Sequence, residues 1–442
     1  MEENSGSKKQ IGIFVATALV IGNMMGAGIF MIPAQLAQVG GPGASIFAWI
    51  ITGVGSIILA CTFANLGAKM PTSGGIVNYS KDAFGDFMGF MTGWLYWNGS
   101  WIGNATLFIV ILSYIGQVIT ILSSNATVGF LFCSILLWGF TYINIRGAKF
   151  VGKISSVITV FKVLLFLFFM IIAAMNFNIN NFKPLFPINK GIEKIPLTAA
   201  ITLWAFIGLE TASVTSGEIK NPEKNVKKST ILGIAISAIL YLGISCLAIG
   251  AMSQNDLAQS NAPLTDITKF FLGSNIINYF NIGIGVCVCG TALGWLLSTA
   301  KVAYAAGQLG LFPKIFSKKH PKYDTPHIAL IISAILVNLI FLLNFIQGLS
   351  SLYNFIVLLS TLSYLPIYAW ATISEILLTI KDKKNITIFK FFKFSFRSLI
   401  GFLFAVWCIY AAGAEVVLYG FILIMLGVPF YAYVSLKNAK NN

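Results

Sequence analysis

The 442-residue chain has very little charge: Asp, Glu, Lys and Arg together make up 10% of it, against about 25% in an ordinary soluble domain. Hydrophobic residues make up 57%. So few charged groups cannot cover the surface of a water-soluble globule, and a disordered chain needs still more of them. The composition therefore excludes both classes and predicts a protein that crosses a membrane several times.

The sequence also lacks the residues from which most catalytic and metal sites are built. It has two histidines, His320 and His327, which flank one polar loop, and no GxxxxGK[ST] phosphate-binding motif. Its six cysteines lie inside apolar runs, where disulfides are unusual, and we interpret them as packing residues: Cys61, Cys133, Cys246, Cys287, Cys289 and Cys408. We expect no enzyme activity, no metal and no cofactor, and any transport would be driven by gradients.

Apolar runs long enough to span a membrane, about 20 residues each, recur along the chain. We predict twelve spans, at about 11–37, 43–69, 84–119, 127–146, 153–176, 196–217, 229–252, 275–307, 328–345, 349–379, 394–412 and 414–436. They form one transmembrane domain over 11–436, with polar tails at 1–10 and 437–442. Twelve spans are typical of a transporter.

Basic residues gather on one side of these spans. With the N-terminus inside, Lys162 falls within a span, and only four of the 29 Lys and Arg residues fall outside: Lys183, Lys190, Lys194 and Lys269. This asymmetry predicts that both termini are cytoplasmic. It also accounts for the net charge of +15. We therefore expect the lipid bilayer to be a partner of the protein, and no nucleic acid.

The first span is interrupted by Gly26-Ala27-Gly28. Two glycines around one alanine favour an unwound segment within a long apolar helix. Such a break would expose amide N–H groups at the start of the second half-helix, where they can bind a carboxylate. The alternative is a close helix–helix contact through small residues.

The sixth span contains Gly208 and, two residues later, Glu210 in an apolar run. An acid within the bilayer is costly and usually functional; a carboxylate hydrogen-bonded for structural reasons is the alternative. Breaks in spans one and six are typical of a five-plus-five inverted repeat with its site at the midplane. We predict an all-α membrane protein with repeats at about 11–176 and 196–379, broken helices 1 and 6, and two more helices within about 394–436.

Several short motifs carry a resemblance to a known family: 23–30 (NMMGAGIF), 95–97 (LYW), 101–104 (WIGN), 202–204 (TLW), 206–208 (FIG) with Glu210, Asn221-Pro222, Gly294-Trp295 and 310–313 (GLFP). The chain resembles the amino acid–polyamine–organocation (APC) transporters over nearly its whole length. It looks most like their bacterial basic amino acid/polyamine antiporters, such as those exchanging arginine for agmatine.

The resemblance implies a substrate site at the two breaks. The substrate carboxylate would meet the amides of Ala27 and Gly28, and its ammonium would meet carbonyls near Met24, Trp204 and Ile207. Ala205 follows Trp204 in the same segment, and Tyr96 would be a gate or pocket wall. The side-chain pocket would consist of Asn23, Gly99, Ser100, Asn104, Leu107, Trp204 and Trp295. Indole rings suit a guanidinium or ammonium; packing or an interfacial belt is the alternative for each tryptophan.

Three positions and one segment depart from the arginine–agmatine antiporters that the chain resembles. Ala27 and Ala205 stand where they have serine, and 358–364 gives no clean match. Lys162, in the fifth span, has no counterpart in them, although proton-coupled symporters and some exchangers of the superfamily have a lysine there. It would brace the first span against the eighth or carry a coupled proton; a lysine snorkelling to the cytoplasmic surface is the alternative.

These features lead to an expected function and to competing ones. We expect a transporter in a bacterial cytoplasmic membrane that exchanges a cationic amino acid for its decarboxylated amine, with Glu210 as the leading coupling residue. A proton-coupled amino acid symporter is the alternative within the same fold. A channel or a transport-inactive sensor is the third hypothesis, although the chain has no carbonyl-filter motif. The resemblance also implies a homodimer.

Overall fold

The computed structural model describes residues 11–26, 28–72, 74–260, 262–347, 350–382 and 387–439. Within these ranges the chain is helical, and no strand occurs beyond a single bridge between Ile11 and Ile219. The α-helices are α1 Ile13–Met24, α2 Gly28–Val39, α3 Pro42–Lys69, α4 Gly75–Phe84, α5 Asp86–Val118, α6 Ile121–Ser124, α7 Ala126–Ile145, α8 Ala148–Met175, α9 Ile195–Trp204, α10 Thr211–Val214, α11 Pro222–Ala251, α12 Gln254–Gln259, α13 Pro263–Leu272, α14 Ser274–Gln308, α15 His327–Gln347, α16 Ser350–Asp382, α17 Ile388–Ala411 and α18 Ala414–Ala439.

Nine segments of the described chain are long and apolar enough to cross a membrane. They are Ile13–Val39, Pro42–Lys69, Asp86–Val118, Ala126–Ile145, Lys149–Met175, Pro222–Ala251, Ile276–Gln308, Phe394–Ala411 and Ala414–Asn438. They correspond to predicted spans one to five, seven, eight, eleven and twelve. The all-helical membrane architecture is confirmed, and the full count of twelve with its inverted repeat stays a prediction.

Besides the four-residue α6, three helices lie where we predicted no span. The amphipathic α4 occupies the gap between the second and third predicted spans, and α12 and α13 occupy the gap before the eighth. α4 begins after Gly74, whose positive φ of 72° suits glycine. Each of the three has ten residues or fewer, so none can cross a bilayer.

The centre of the molecule is formed where α14 packs on α5 and where α1 packs on α8 and α11. Buried side chains of these helices form one continuous apolar cluster. Large apolar side chains also cover outward faces of the helices, as Ile135 and Val157 do, each 71% exposed. In water such faces would be an aggregation hazard; on helices of spanning length they suit contact with lipid tails.

Two helices break near the middle of the fold. α1 ends at Met24 and α2 begins at Gly28, and the N–H of Gly26 donates to the Met24 carbonyl at 2.8 Å. α9 ends at Trp204 and α10 begins at Thr211, with turns between them. Gly208 in the second break has φ of 108°, and a Cβ there would lie 3.2 Å from the backbone of Asn23 and Met24. The two breaks therefore contact each other through a glycine.

Candidate functional site

A cavity lies at the two breaks, with about 430 Å³ of space between its atoms when the part open to the outside is included. Eleven of the residues predicted from sequence line it: Asn23, Met24, Gly28, Gly99, Ser100, Asn104, Leu107, Trp204, Ala205, Ile207 and Trp295. Five further residues complete the lining: Gly26, Gly103, Thr106, Ser360 and Tyr364. Ala27 lies outside the described residues. None of the described lining side chains is charged.

Trp295 connects the cavity to the first break. Its indole N–H donates to the main-chain carbonyl of Asn23 at 2.9 Å. Its ring centroid lies 5.7 Å from that of Tyr364 and 6.3 Å from that of Tyr96. The three rings form an aromatic wall, within which Tyr96 is fully buried and stands behind the lining rather than in it.

Two glycines let side chains approach the broken helices closely. A Cβ on Gly28 would lie 2.6 Å from the indole of Trp204. A Cβ on Gly294 would lie 2.1 Å from the Asn23 Oδ1. Real Cβ contacts are not this short, so glycine is required at both places for Trp204 and Asn23 to sit where they do.

Polar side chains from three helices meet around the cavity. The Asn104 amide nitrogen on α5 donates to Thr299 Oγ1 on α14 at 3.2 Å, which leaves the Asn104 carbonyl oxygen to accept from a ligand. One turn earlier on α5, Ser100 Oγ lies 2.6 Å from Tyr364 Oη on α16. The cavity therefore offers neutral hydrogen-bonding groups beside its aromatic wall.

Ser360 and Tyr364 on α16 were not predicted from the sequence. Ser360 Oγ donates to the Gly99 carbonyl at 2.7 Å, which fixes α16 against α5. A signal was present in the sequence, because Ser360, Tyr364 and Tyr368 recur at a spacing of four within an apolar run. This spacing aligns them along one helical face.

Glu210, in the second break, is fully buried next to this wall. Its Oε2 accepts from the Tyr368 hydroxyl at 2.8 Å and from the Gly208 N–H at 3.3 Å. Tyr96 lies within electrostatic range of it. The Tyr96 hydroxyl is buried beside the carboxylate and interacts with it. One oxygen of this intramembrane acid is therefore held by Tyr368 and Gly208, and Tyr96 is a further polar neighbour.

Lys162 is fully buried at the first break. Its ammonium donates to the carbonyl of Met25 at 2.7 Å, to that of Gly22 at 3.2 Å and to Thr291 Oγ1 at 2.6 Å. Gly22 and Met25 flank the end of α1, and Thr291 belongs to α14. The contacts thus join α8 to the first and eighth predicted spans, and full burial excludes snorkelling in this conformation.

A second group of contacts involves the residues that follow the sixth predicted span. Ile11, just before α1, exchanges backbone hydrogen bonds with Glu218 at 2.8 Å and Lys220 at 2.9 Å. The Glu218 carboxylate pairs with Lys301 on α14 at 2.7 Å, and the Lys301 side chain is only 3% exposed. Segments from the first, sixth and eighth predicted spans therefore meet at one end of the molecule.

A sequence profile described as amino acid permease matches residues 11–436. The chain belongs to the amino acid permease family. It is 31% identical to the arginine/agmatine antiporter of Chlamydia felis and to that of Chlamydia abortus, each over 100% of this chain and 93% of the relative. It is 29% identical to a putative amino-acid transporter of Clostridium perfringens, over 98% of this chain and 93% of the relative.

Family membership confirms the APC resemblance. It makes the protein an amino acid transporter of a membrane, with a small molecule as its partner. Two of the motifs that carried the resemblance, the glycine-rich break and Trp295, lie at the cavity.

Proposed function

We propose that the protein is an antiporter that exchanges a cationic amino acid for the amine formed by its decarboxylation, by alternating access. The observation that carries the proposal is the uncharged, aromatic cavity at two facing helix breaks. Relatives named arginine/agmatine antiporters, aligned over the full chain, support the substrate pair.

The backbone around the breaks supports a pose for the amino acid portion. The substrate carboxylate is proposed to bind at the start of α2, where Gly28 lines the cavity and the helix dipole favours an anion. The Ile207 carbonyl, in the other break, accepts no hydrogen bond from the described residues. It is the group best able to accept from the α-ammonium, with the carbonyls of Met24 and Trp204 beside it.

The lining supports a cationic side chain that is held without a counter-ion. A guanidinium or ammonium stacked on an indole contributes about 0.5–2 kcal/mol, depending on desolvation. Trp295 supplies the ring, and the Asn104 carbonyl oxygen supplies an acceptor. A decarboxylated amine keeps both of these contacts and loses only the carboxylate contact at α2, so one cavity can accept both partners of an exchange.

Proton-coupled symport is the second candidate, and Lys162 favours it. A buried ammonium held by carbonyls of the first break can release its proton only with a change at that break. Proton movement and substrate movement would then share one structural element, which is the requirement for coupling.

Transport by purified protein in liposomes separates the two candidates. Liposomes are preloaded with arginine, ornithine, lysine or their amines, or with buffer alone, and uptake of labelled arginine is followed with and without a proton gradient. Antiport requires internal substrate and no gradient. Uptake into empty liposomes that depends on an inwardly directed proton gradient would replace the antiporter proposal by symport, and no uptake under any condition would reject both.

We place the protein in a bacterial cytoplasmic membrane with both termini inside, as twelve spans that include a five-plus-five inverted repeat. The distribution of basic residues and bacterial relatives support this topology. Labelling of cysteines introduced at Lys190 and Lys322 by an impermeant reagent tests it, because only position 190 is expected to react from outside. A homodimer is part of the same proposal, and its test is the mass of the protein in detergent.

A further inference from the structure

Arg146, at the end of α7, is held in place by two aromatic rings. Its guanidinium carbon lies 5.1 Å from the ring centroid of Tyr142 and 5.6 Å from that of Tyr323, and Nη1 donates to the Tyr323 hydroxyl at 3.2 Å. Lys322 lies against the same Tyr323 ring, at 5.7 Å. Thr325 ties this loop to α7 by donating to the Ile145 carbonyl at 2.7 Å. Two cations are thus fixed around one ring.

These cations have no acidic partner in the described chain. No carboxylate of the described residues lies within 4.0 Å of Arg146, Lys149 or Lys322. The neighbouring Lys319 differs, since it pairs with Asp324 at 2.8 Å, and this hydrogen bond raises the pKa of Lys319. Asp324 is therefore already engaged. Arg146, Lys149 and Lys322 are therefore available to bind an anion from outside the chain.

An apolar ridge leads along α7 to this charged group. Leu131, Ile135, Trp138 and Tyr142 follow each other at spacings of three or four residues, so they share one face of the helix, and all four are exposed. Arg146 is the next residue in the series. On α8, Phe150 is likewise exposed beside Lys149. A hydrocarbon surface that ends in fixed cations matches a molecule with an acyl chain and an anionic head.

We propose that an anionic phospholipid binds at this place, with its phosphate on Arg146, Lys149 and Lys322 and an acyl chain along the α7 ridge. A guanidinium has five N–H donors, of which Tyr323 takes one, so paired donors remain for phosphate oxygens. The ridge selects a lipid over a soluble phosphate, because the chain contacts exist only for an acylated ligand. The site is independent of the substrate cavity and of the direction of transport.

The test compares two variants that lose equal charge. Arg146→Gln/Lys149→Gln/Lys322→Gln removes the proposed site. Lys224→Gln/Lys227→Gln/Lys228→Gln removes three exposed cations from the start of α11, also without described carboxylates within 4.0 Å. Phosphatidylglycerol retained by each protein is counted by native mass spectrometry after titration into detergent, with phosphatidylcholine and glycerol phosphate as the neutral and soluble probes.

We expect the first variant to bind phosphatidylglycerol at least tenfold more weakly than wild type, since each basic residue near an anionic surface contributes about fivefold in affinity. The control should change by no more than about twofold. Equal losses of affinity in both variants would show that positive charge attracts the lipid without a specific site. Unchanged affinity in both variants would show that these residues do not bind the lipid. Competition by glycerol phosphate at similar concentrations would contradict the role of the ridge.

Arg146→Lys keeps the charge and provides a check independent of folding. A lysine loses the planar fork and most of the stacking between Tyr142 and Tyr323. We expect it to bind phosphatidylglycerol with an affinity between those of the wild type and the triple variant. Wild-type affinity in Arg146→Lys would contradict the proposed geometry at the ring.

Discussion

Lys162→Met is the substitution that most directly separates folding from transport in this protein. Methionine is close to lysine in length and has no charge, so the packing of α8 is nearly kept while the contacts to Gly22, Met25 and Thr291 are lost. We expect the variant to fold and to lose most of its transport.

The expected effect on stability follows from two opposing terms. Hydrogen bonds to a charged group contribute about 1.5–3 kcal/mol each, and Lys162 donates three. Removing an ammonium from water costs several kcal/mol. These terms partly cancel, and the carbonyl left without a donor costs about 1–3 kcal/mol, so the free energy of unfolding should fall by roughly that amount.

The effect on transport is larger because the contacts lie at a helix break. After the substitution, the single Thr291 hydroxyl hydrogen is the remaining side-chain donor to the carbonyls of Gly22 and Met25 among the described residues. If the first break moves during transport, the two conformations lose unequal amounts of stabilisation. A difference of about 1–3 kcal/mol changes their ratio by about 5- to 150-fold, so we expect the exchange rate to fall at least about fivefold.

The assay is arginine exchange in preloaded liposomes, with thermal unfolding in detergent as the folding control. Lys153→Met, which removes an exposed lysine from the same helix, is the matched variant and should exchange normally. Thr291→Val keeps the lysine, removes one of its three partners and should give an intermediate rate. A folded Lys162→Met protein with the wild-type rate and pH profile would refute the reasoning.

Three further predictions concern Trp295, Glu210 and the Glu218–Lys301 ion pair. Trp295→Ala should raise the Kd for the cationic substrate at least tenfold, about 1.4 kcal/mol, and Trp295→Phe should give a smaller increase; unchanged binding by calorimetry would rule out stacking. Glu210→Gln should keep binding but flatten the pH dependence of exchange, and pH–rate curves of the same shape as wild type would show that another group titrates. Lys301→Glu and Glu218→Lys should each impair exchange, and their combination should restore part of it, whereas additive losses would show that the ion pair is not coupled to transport.

The spans were predictable because lipid imposes a length on apolar helices. The third span, predicted at 84–119, is observed as Asp86–Val118, and the fourth, predicted at 127–146, as Ala126–Ile145. The short helices α4, α12 and α13 were not predicted, because ten residues or fewer with mixed polarity give no signal of membrane length. Their formation depends on packing against the long helices.

Most of the cavity was predictable through motifs, but its α16 wall was not. The glycines at the breaks mark the local backbone, and Gly208 has the positive φ that its residue type permits. Ser360 and Tyr364 depend instead on the register of α16 against α5, set by the contacts of Ser360 with Gly99 and of Tyr364 with Ser100. The spacing of four marks their shared helical face, but this register joins residues more than 250 positions apart, and no local pattern gives the partner of that face.

The two helix breaks differ in how their carbonyl groups are used. In the first break, the carbonyls of Gly22 and Met25 are occupied by Lys162 and Thr291, and that of Asn23 by Trp295. In the second, the Ile207 carbonyl accepts from none of the described residues. Because an occupied carbonyl binds a ligand only after its partner leaves, the second break is the better acceptor for a substrate ammonium. The first break is thus held by contacts from α8 and α14, and Trp295 joins it to the wall of the cavity.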